Sequence, residues 1–323
     1  MTRILTESDV RKVLSMADGV RLVEEAFKLY AEGHAQLASR LVMKLTGKAG
    51  AFRVMAANVS SLGGFGLKTL TGIPGQRDPE RTYFAMLFFD GETGGLACVL
   101  PATYLTGVRT GAASAVAAKY LAREDSKVVG IFGAGVQARA QIAALREVRR
   151  IEKVKVFDVS RPAAEGMARE LRGVEVVLCD TPRETIAGSD IVASATTSSE
   201  PVITGDLLEE GMHVNAVGAN SPTKREVDVS AFLRSRLVLD FKEQVLQEAG
   251  DLMDALSSGA VAESHIHAEL GDVVVGRKPG RESRKDITLF KSVGVAIEDV
   301  AVAGWVYREA EARGLGVNLN LQD

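Results

Sequence analysis

Apolar and polar positions recur with two different periods along this chain, and the changes of period divide it. Near the start, Val20, Val23, Ala26, Phe27 and Tyr30 fall on one face of a helix. Thr6 stands three residues before Asp9, and Ser15 three before Asp18, each pair having the form of a helix N-cap. Two N-terminal helices are therefore expected. From Arg40 to Cys98 the pattern is that of strands: RLVMKL, AFRVMAANV, FGLKTL, TYFAMLFFD and LACVL, separated by glycine-bearing turns. GETGG, at 91–95, reads as a hairpin turn. The expectation for this region is a helix-flanked antiparallel sheet.

An alanine-rich stretch at 111–122 predicts a connecting helix, and beyond it strands and helices alternate. Strands are expected at 127–132, 154–158, 174–179, 191–195, 213–217 and 237–240. Short strands that are apolar on both faces, with helices between them, indicate a parallel sheet covered on both sides. A last helix, about 297–313, follows a turn at Gly294 and is expected to return to the first domain. The fold class is thus α/β, with a Rossmann domain at 121–296 and an α+β domain at 1–120 to which 297–323 returns.

Composition narrows the function without choosing it. At 323 residues, 46% hydrophobic and 25% charged, the chain has room for two domains with substantial cores. A net charge of −3 gives no electrostatic reason to bind nucleic acid or an anionic membrane. No apolar run approaches the roughly 20 residues needed to span a bilayer. The opening MTRILTESDV lacks the apolar core of a signal peptide, and Cys98 and Cys179 sit in apolar contexts suited to small core side chains. A soluble cytoplasmic protein is expected.

The segment KVVGIFGAGVQA, starting at Lys127, runs from a strand into a helical pattern. Gly133 permits a tight turn, Gly135 lets the backbone approach a pyrophosphate, and Ala138 is the third small position, where helix and strand pack. The pyrophosphate would meet the free N–H groups at the start of the helix. Asp158, about 20 residues beyond Ala138 at the end of the next strand, stands where a carboxylate accepts from ribose hydroxyls. That carboxylate favours NAD over NADP. Arg161 leaves NADP open, because a nearby guanidinium can bind a phosphate; its alternative role is a solvated charge on the next helix.

Several segments resemble the ornithine cyclodeaminase/mu-crystallin superfamily, in particular its archaeal alanine dehydrogenase and ketimine reductase branch. They are ATYLTGVRTGAA from Ala102, the Gly133 motif, ATTSSEPV from Ala195, HVNAVGA from His213, GRKPGRE from Gly276 and LFKSVGVAIED from Leu289. The resemblance implies a homodimer built through the first domain, with a small imino- or amino-acid substrate bound between that domain and the Rossmann sheet. It places the substrate-carboxylate arginines at Arg40 and Arg109 and the central proton-transferring lysine at Lys68. It places cofactor contacts at Thr110, Val136, Gln137, Thr196, Val217, Ala219, Ser292 and Gly294, besides those of the glycine motif. Chemically, a planar guanidinium can grip a carboxylate with two parallel hydrogen bonds, and a confined lysine can exchange the proton that accompanies hydride transfer.

Two positions depart from the cyclising deaminases. The aspartate that shuttles protons there is replaced by Asn220, whose amide is no general base at neutral pH. The glutamate that receives the distal amine of ornithine is replaced by Arg53, which would repel that amine. Arg53 equally suits a structural pair with a local acid. Net NAD(P)H-dependent reduction of an α-imino acid, or oxidation of an α-amino acid, is the expected reaction. Cyclodeamination and a mu-crystallin-like NADPH and small-ligand binding role are the alternatives. His265 and His267 share a strand face by spacing, but lack further ligands for a metal; His34 and His213 show no partner in the sequence. Tyr104 is expected either to line the substrate site or to pack, and Trp305 to make a core or dimer contact.

Overall fold

Thr6 and Ser15 start the first two helices, α1 (Glu7–Val13) and α2 (Met16–Ala31). Thr6 and Asp9 close a full capping box, and the Ser15 hydroxyl accepts from the Asp18 N–H at 3.1 Å. The computed structural model describes residues 1–46, 50–72 and 82–321. It divides into two units, Met1–Arg109 with Val295–Asp323, and Thr110–Gly294.

The first unit contains β1 (Thr2–Ile4), β2 (Gln36–Leu37), β3 (Leu41–Lys44), β4 (Ala51–Val59), β5 (Gly64–Gly72), β6 (Thr82–Asp90) and β7 (Leu96–Pro101). Helix α3 (Thr103–Leu121) follows and runs across the division between the units, longer at its start than the alanine-rich stretch alone suggests.

In the second unit, β8 (Val128–Phe132), α4 (Val136–Val148), β9 (Lys153–Phe157), α5 (Arg161–Glu170), β10 (Glu175–Leu178) and α6 (Pro182–Ile186) come first. Then follow β11 (Ile191–Ser194), β12 (His213–Ala216), α7 (Val229–Arg234), β13 (Arg236–Leu239), α8 (Lys242–Glu248) and α9 (Gly250–Ser257). The unit ends with β14 (Ile266–Glu269), α10 (Leu270–Val274) and β15 (Thr288–Lys291). Helix α11 (Ala296–Ala312) and β16 (Val317–Leu319) belong to the first unit again.

The first unit's sheet has the order β16-β1-β7-β6-β5-β4-β2, with β3 also on β4. From β3 to β7, the stretch expected to be antiparallel, every pairing is antiparallel, and β1, ahead of that stretch, joins the sheet by pairing β7 in parallel. The parallel pair arises because α1 and α2 carry the chain away before the meander begins. Met55, Lys68 and Met86 lie side by side on β4, β5 and β6, all three buried. Helix α11 packs across β4 and β5 and against α2, and it is buried nearly all round from Ala296 to Val306.

The second unit's sheet is parallel throughout, in the order β10-β9-β8-β11-β12-β15-β13-β14. Alternate residues of β11 face opposite cores. Ile191 and Ala193 pack with Ile142, Leu145 and Met167, while Val192 packs with Phe232, Val245 and Leu252. Both faces are therefore apolar, as the continuous apolar runs require. Strand β15 was not among the expected ones, and β14 only through the strand face read for His265 and His267. Each is four residues long and lies beside charged, loop-rich sequence, so neither gives a periodic signal.

Candidate active site and cofactor cradle

In the second unit, β8 runs through Gly133 into α4. Gly133 has φ 95°, and a Cβ there would sit 2.8 Å from the Ala195 carbonyl oxygen, so only glycine fits. Gly135 is the N-cap of α4, has no side-chain cap, and leaves open space where a Cβ would stand. Val136 is 65% exposed, while Ala138 is fully buried against the sheet. The Oε1 atom of Gln137, in the first turn, is buried without a hydrogen-bond partner. Asp158 follows β9, with its carboxylate accepting from Ala134 N at 2.7 Å and Ser160 N at 2.7 Å. The acid is thus tied to the glycine turn itself. These features fit a dinucleotide: a helix start with unclaimed N–H groups, a backbone open to close approach, and a fixed carboxylate.

Arg161 reaches Asp180 at 2.8 Å and Glu165 at 3.6 Å, the arrangement of a surface ion pair. Thr196, Gly218 and Ala219 converge on one buried carboxylate, that of Glu226. The backbone N–H groups of Val293 and Gly294 and the Ser292 hydroxyl converge on another, Asp240, at 2.8–2.9 Å. Burial raises the Asp240 pKa, and these donors oppose the rise. The Thr110 carbonyl accepts from Gln141 at 3.3 Å. Val217 is buried, whereas Asn220 is exposed and accepts from Lys224 at 3.3 Å.

In the first unit, Lys68 is 1% exposed and donates to Asp299 Oδ1 at 2.6 Å. Arg109 donates to Glu298 Oε2 at 2.7 Å and lies 3.1 Å from Asp299 Oδ1. Glu298 and Asp299 are both fully buried on α11. Burial pushes the Lys68 ammonium down, the positive charge of Arg109 pushes it further, and Asp299 opposes both; the pKa settles at about 7. Arg40, half-buried ahead of β3, lies close enough to add to the downward push. Phe84 on β6 places its ring 5.8 Å from Lys68 Nζ.

These five groups carry one excess positive charge when Lys68 is protonated, which suits a monoanionic carboxylate. Burying charges costs several kcal/mol per ion, so such a cluster adds little to stability and is characteristic of a functional site. Arg53 on β4 lies two residues from Met55, on the face that Lys68 shares. Among the described residues it forms no ion pair within 4.0 Å.

Glu298 and Asp299 are functional candidates that the sequence reading missed. The available signal was two adjacent acids inside the otherwise apolar AIEDVAVAGW. Tyr104 packs: its hydroxyl donates to the Leu14 carbonyl at 3.2 Å and Arg11 lies over its ring. Trp305 is half-buried with Arg21 4.6 Å from its ring centre.

The histidine expectations need correction. His213 has partners, Thr288 Oγ1 and Asn215 Oδ1, both at 3.0 Å, and burial pushes its pKa down to about 3. His265 and His267 do not share a strand face, because His265 ends a short 3-10 helix before β14. His265 meets the Phe232 carbonyl and His267 the Pro279 carbonyl instead. No group of three metal-ligating side chains occurs among the described residues.

A parallel sheet whose order reverses between β8 and β11, with a glycine cradle at the end of β8, defines the dinucleotide-binding α/β class. The profile of the ornithine cyclodeaminase/mu-crystallin family matches residues 1–314, and the chain belongs to that family. Alanine dehydrogenase of Archaeoglobus fulgidus is 40% identical over 319 residues, covering 98% of this chain and 97% of the relative. The structure of Thermococcus litoralis Δ1-pyrroline-2-carboxylate reductase with NADH and L-proline superposes with a TM-score of 0.95 at 39% identity, covering 98% and 100% of the two chains. An archaeal alanine dehydrogenase dimer with bound NAD gives 0.94 at 38% identity, covering 99% of each.

Proposed function

We propose that this chain is an NAD(H)-dependent oxidoreductase acting on the C–N bond of α-imino and α-amino acids. The observation that carries this reading is the buried Lys68–Asp299–Arg109–Glu298 cluster, whose lysine is tuned to about neutral pH. It is supported by relatives that reduce a cyclic imino acid or act as alanine dehydrogenase, and by the cradle around Gly133 and Asp158.

When bound, the nicotinamide supplies or accepts a hydride at the substrate α-carbon. The protein's part is binding and proton transfer. Arg109 and Arg40 hold the substrate carboxylate, the pairing of Arg109 with Glu298 and Asp299 fixing the plane of its guanidinium. Lys68 Nζ gives a proton to the product amine during reduction and takes it back during oxidation. A lysine near pKa 7 populates both states at neutral pH, as acid–base catalysis needs. Arg53 faces the substrate side chain and disfavours a cationic one.

On the cofactor side, Thr110, Val136, Gln137, Thr196, Val217, Ala219, Ser292 and Gly294 join the glycine motif. Asp158 selects NAD, and Arg161 stays with its surface acids. We further infer a cytoplasmic homodimer. In support, both cysteines are free and buried, no helix among the described residues could cross a membrane, and an archaeal neighbour is a dimer. The first unit also bears an open groove of about 580 Å³ lined by Leu37, Leu67 and the stacked pair Phe65 and Phe89.

A substrate panel tests the reaction. NADH oxidation should be catalysed with cyclic α-imino acids, or with 2-oxo acids plus ammonia or methylamine. Tight NADH binding without turnover on any member would favour a binding protein instead.

A further inference from the structure

We propose that Glu226 is a positioning residue that presets the nicotinamide half of the cofactor site; this rests on the dinucleotide reading above. In a sheet of this order the two mononucleotide halves lie on either side of the reversal between β8 and β11. Gly133 and Asp158, after β8 and β9, serve one half. The segments following β11 and β12 serve the other.

Those two segments are joined by one side chain. Glu226 Oε1 accepts from Thr196 N at 2.7 Å and Thr196 Oγ1 at 2.8 Å. Its Oε2 accepts from Gly218 N at 2.6 Å and Ala219 N at 3.2 Å. Thr196 follows β11, and Gly218 and Ala219 follow β12. The residue is fully buried, so its carboxylate is occupied by protein donors and acts on a ligand only through them. Four donors require an acceptor-only group, which an ionised carboxylate is and a carboxamide is not.

The clamp is itself braced. Glu226 N donates to Asp251 Oδ2 at 3.2 Å, and that same oxygen receives Lys291 Nζ at 3.0 Å from the end of β15. The Glu226 carbonyl accepts from Val202 N at 2.9 Å and Ile203 N at 2.8 Å. Any Cβ at residue 218 would overlap Glu226 Oε1 and the Thr196 backbone, so glycine is demanded there by the clamp. A buried ion held this firmly at the ligand-binding edge of a parallel sheet has a positional effect: it sets the spacing of the β11 and β12 ends, and with it Val217 and Ala219.

The test compares NADH with ADP-ribose, which lacks the nicotinamide, by titration into the full-length protein and its Glu226→Gln and Glu226→Asp variants. Glu226→Gln sets an NH2 group against backbone N–H donors. Its NADH dissociation constant should rise about 10- to 100-fold, the effect of losing charge-assisted bonds. ADP-ribose affinity should stay within roughly 2-fold, because Gly133 and Asp158 are untouched. Glu226→Asp keeps the charge but shortens the reach by one methylene, so it should show the same selective loss, to a smaller extent, and it carries the comparison if the glutamine variant does not fold. Unchanged NADH affinity, equal loss of both ligands, or unfolding of both variants would overturn the proposal. Failure of the unmutated protein to bind either ligand would overturn the dinucleotide reading, and this one with it.

Discussion

Lys68 brings an ammonium group to the middle of a sheet, beneath the helix that carries Glu298 and Asp299. Asp299 holds that charge in place, against burial and the field of Arg109 and Arg40. The sign of the pH dependence follows. Reduction needs the protonated lysine, so kcat should fall as pH rises through about 7, while oxidation of the amino acid should gain over the same interval. In Asp299→Asn the supporting charge is gone, the lysine loses its proton more readily, and the reductive limb should move down by about one pH unit or more. Lys68→Met should lower kcat by about 10²- to 10⁴-fold and abolish the limb. Steady-state pH profiles of the three proteins measure this. Near-normal kcat in Lys68→Met would reduce the lysine to an electrostatic or structural part.

At the scale of elements, the unit β8–α4–β9 concentrates the cofactor chemistry in one turn and one strand end. Because Asp158 is tied to Ala134, its charge is held at the glycine turn and should discriminate against a 2′-phosphate. NADH should bind more tightly than NADPH, and Asp158→Ala should narrow the ratio by about tenfold through loss of the like-charge contact. Fluorescence titration of both cofactors checks it, and a clear NADPH preference in the unmutated protein would bring Arg161 back as a phosphate ligand. This unit was legible in the sequence because its signals are local: glycines at fixed offsets, an apolar run, an acid at the next strand end. The capped helices α1 and α2 were legible for the same reason. The Lys68–Asp299 pair was not, since its partners stand 231 residues apart and meet only because α11 returns to the first unit. The same holds for β15, whose four residues are strand by virtue of lying between β12 and β13, and for His213, whose partner Thr288 comes from that strand.

For the molecule as a whole, membership of the family leaves two chemistries apart: internal recycling of the cofactor during cyclodeamination, and net transfer of hydride. Asn220 is exposed and engaged by Lys224, so it supplies neither the acid nor the burial that a proton shuttle needs. Arg53 lies on the Lys68 face, where a second amine would be repelled. Both observations favour net transfer. The most direct measurement is a mass balance of cofactor and product, taken with a cyclic imino acid plus NADH and, in parallel, with ornithine plus a trace of NAD. Net transfer predicts one NADH oxidised for each amino acid formed from the imine, and neither proline nor ammonia from ornithine. Proline accumulating over many turnovers from ornithine, with the cofactor unchanged, would contradict the account.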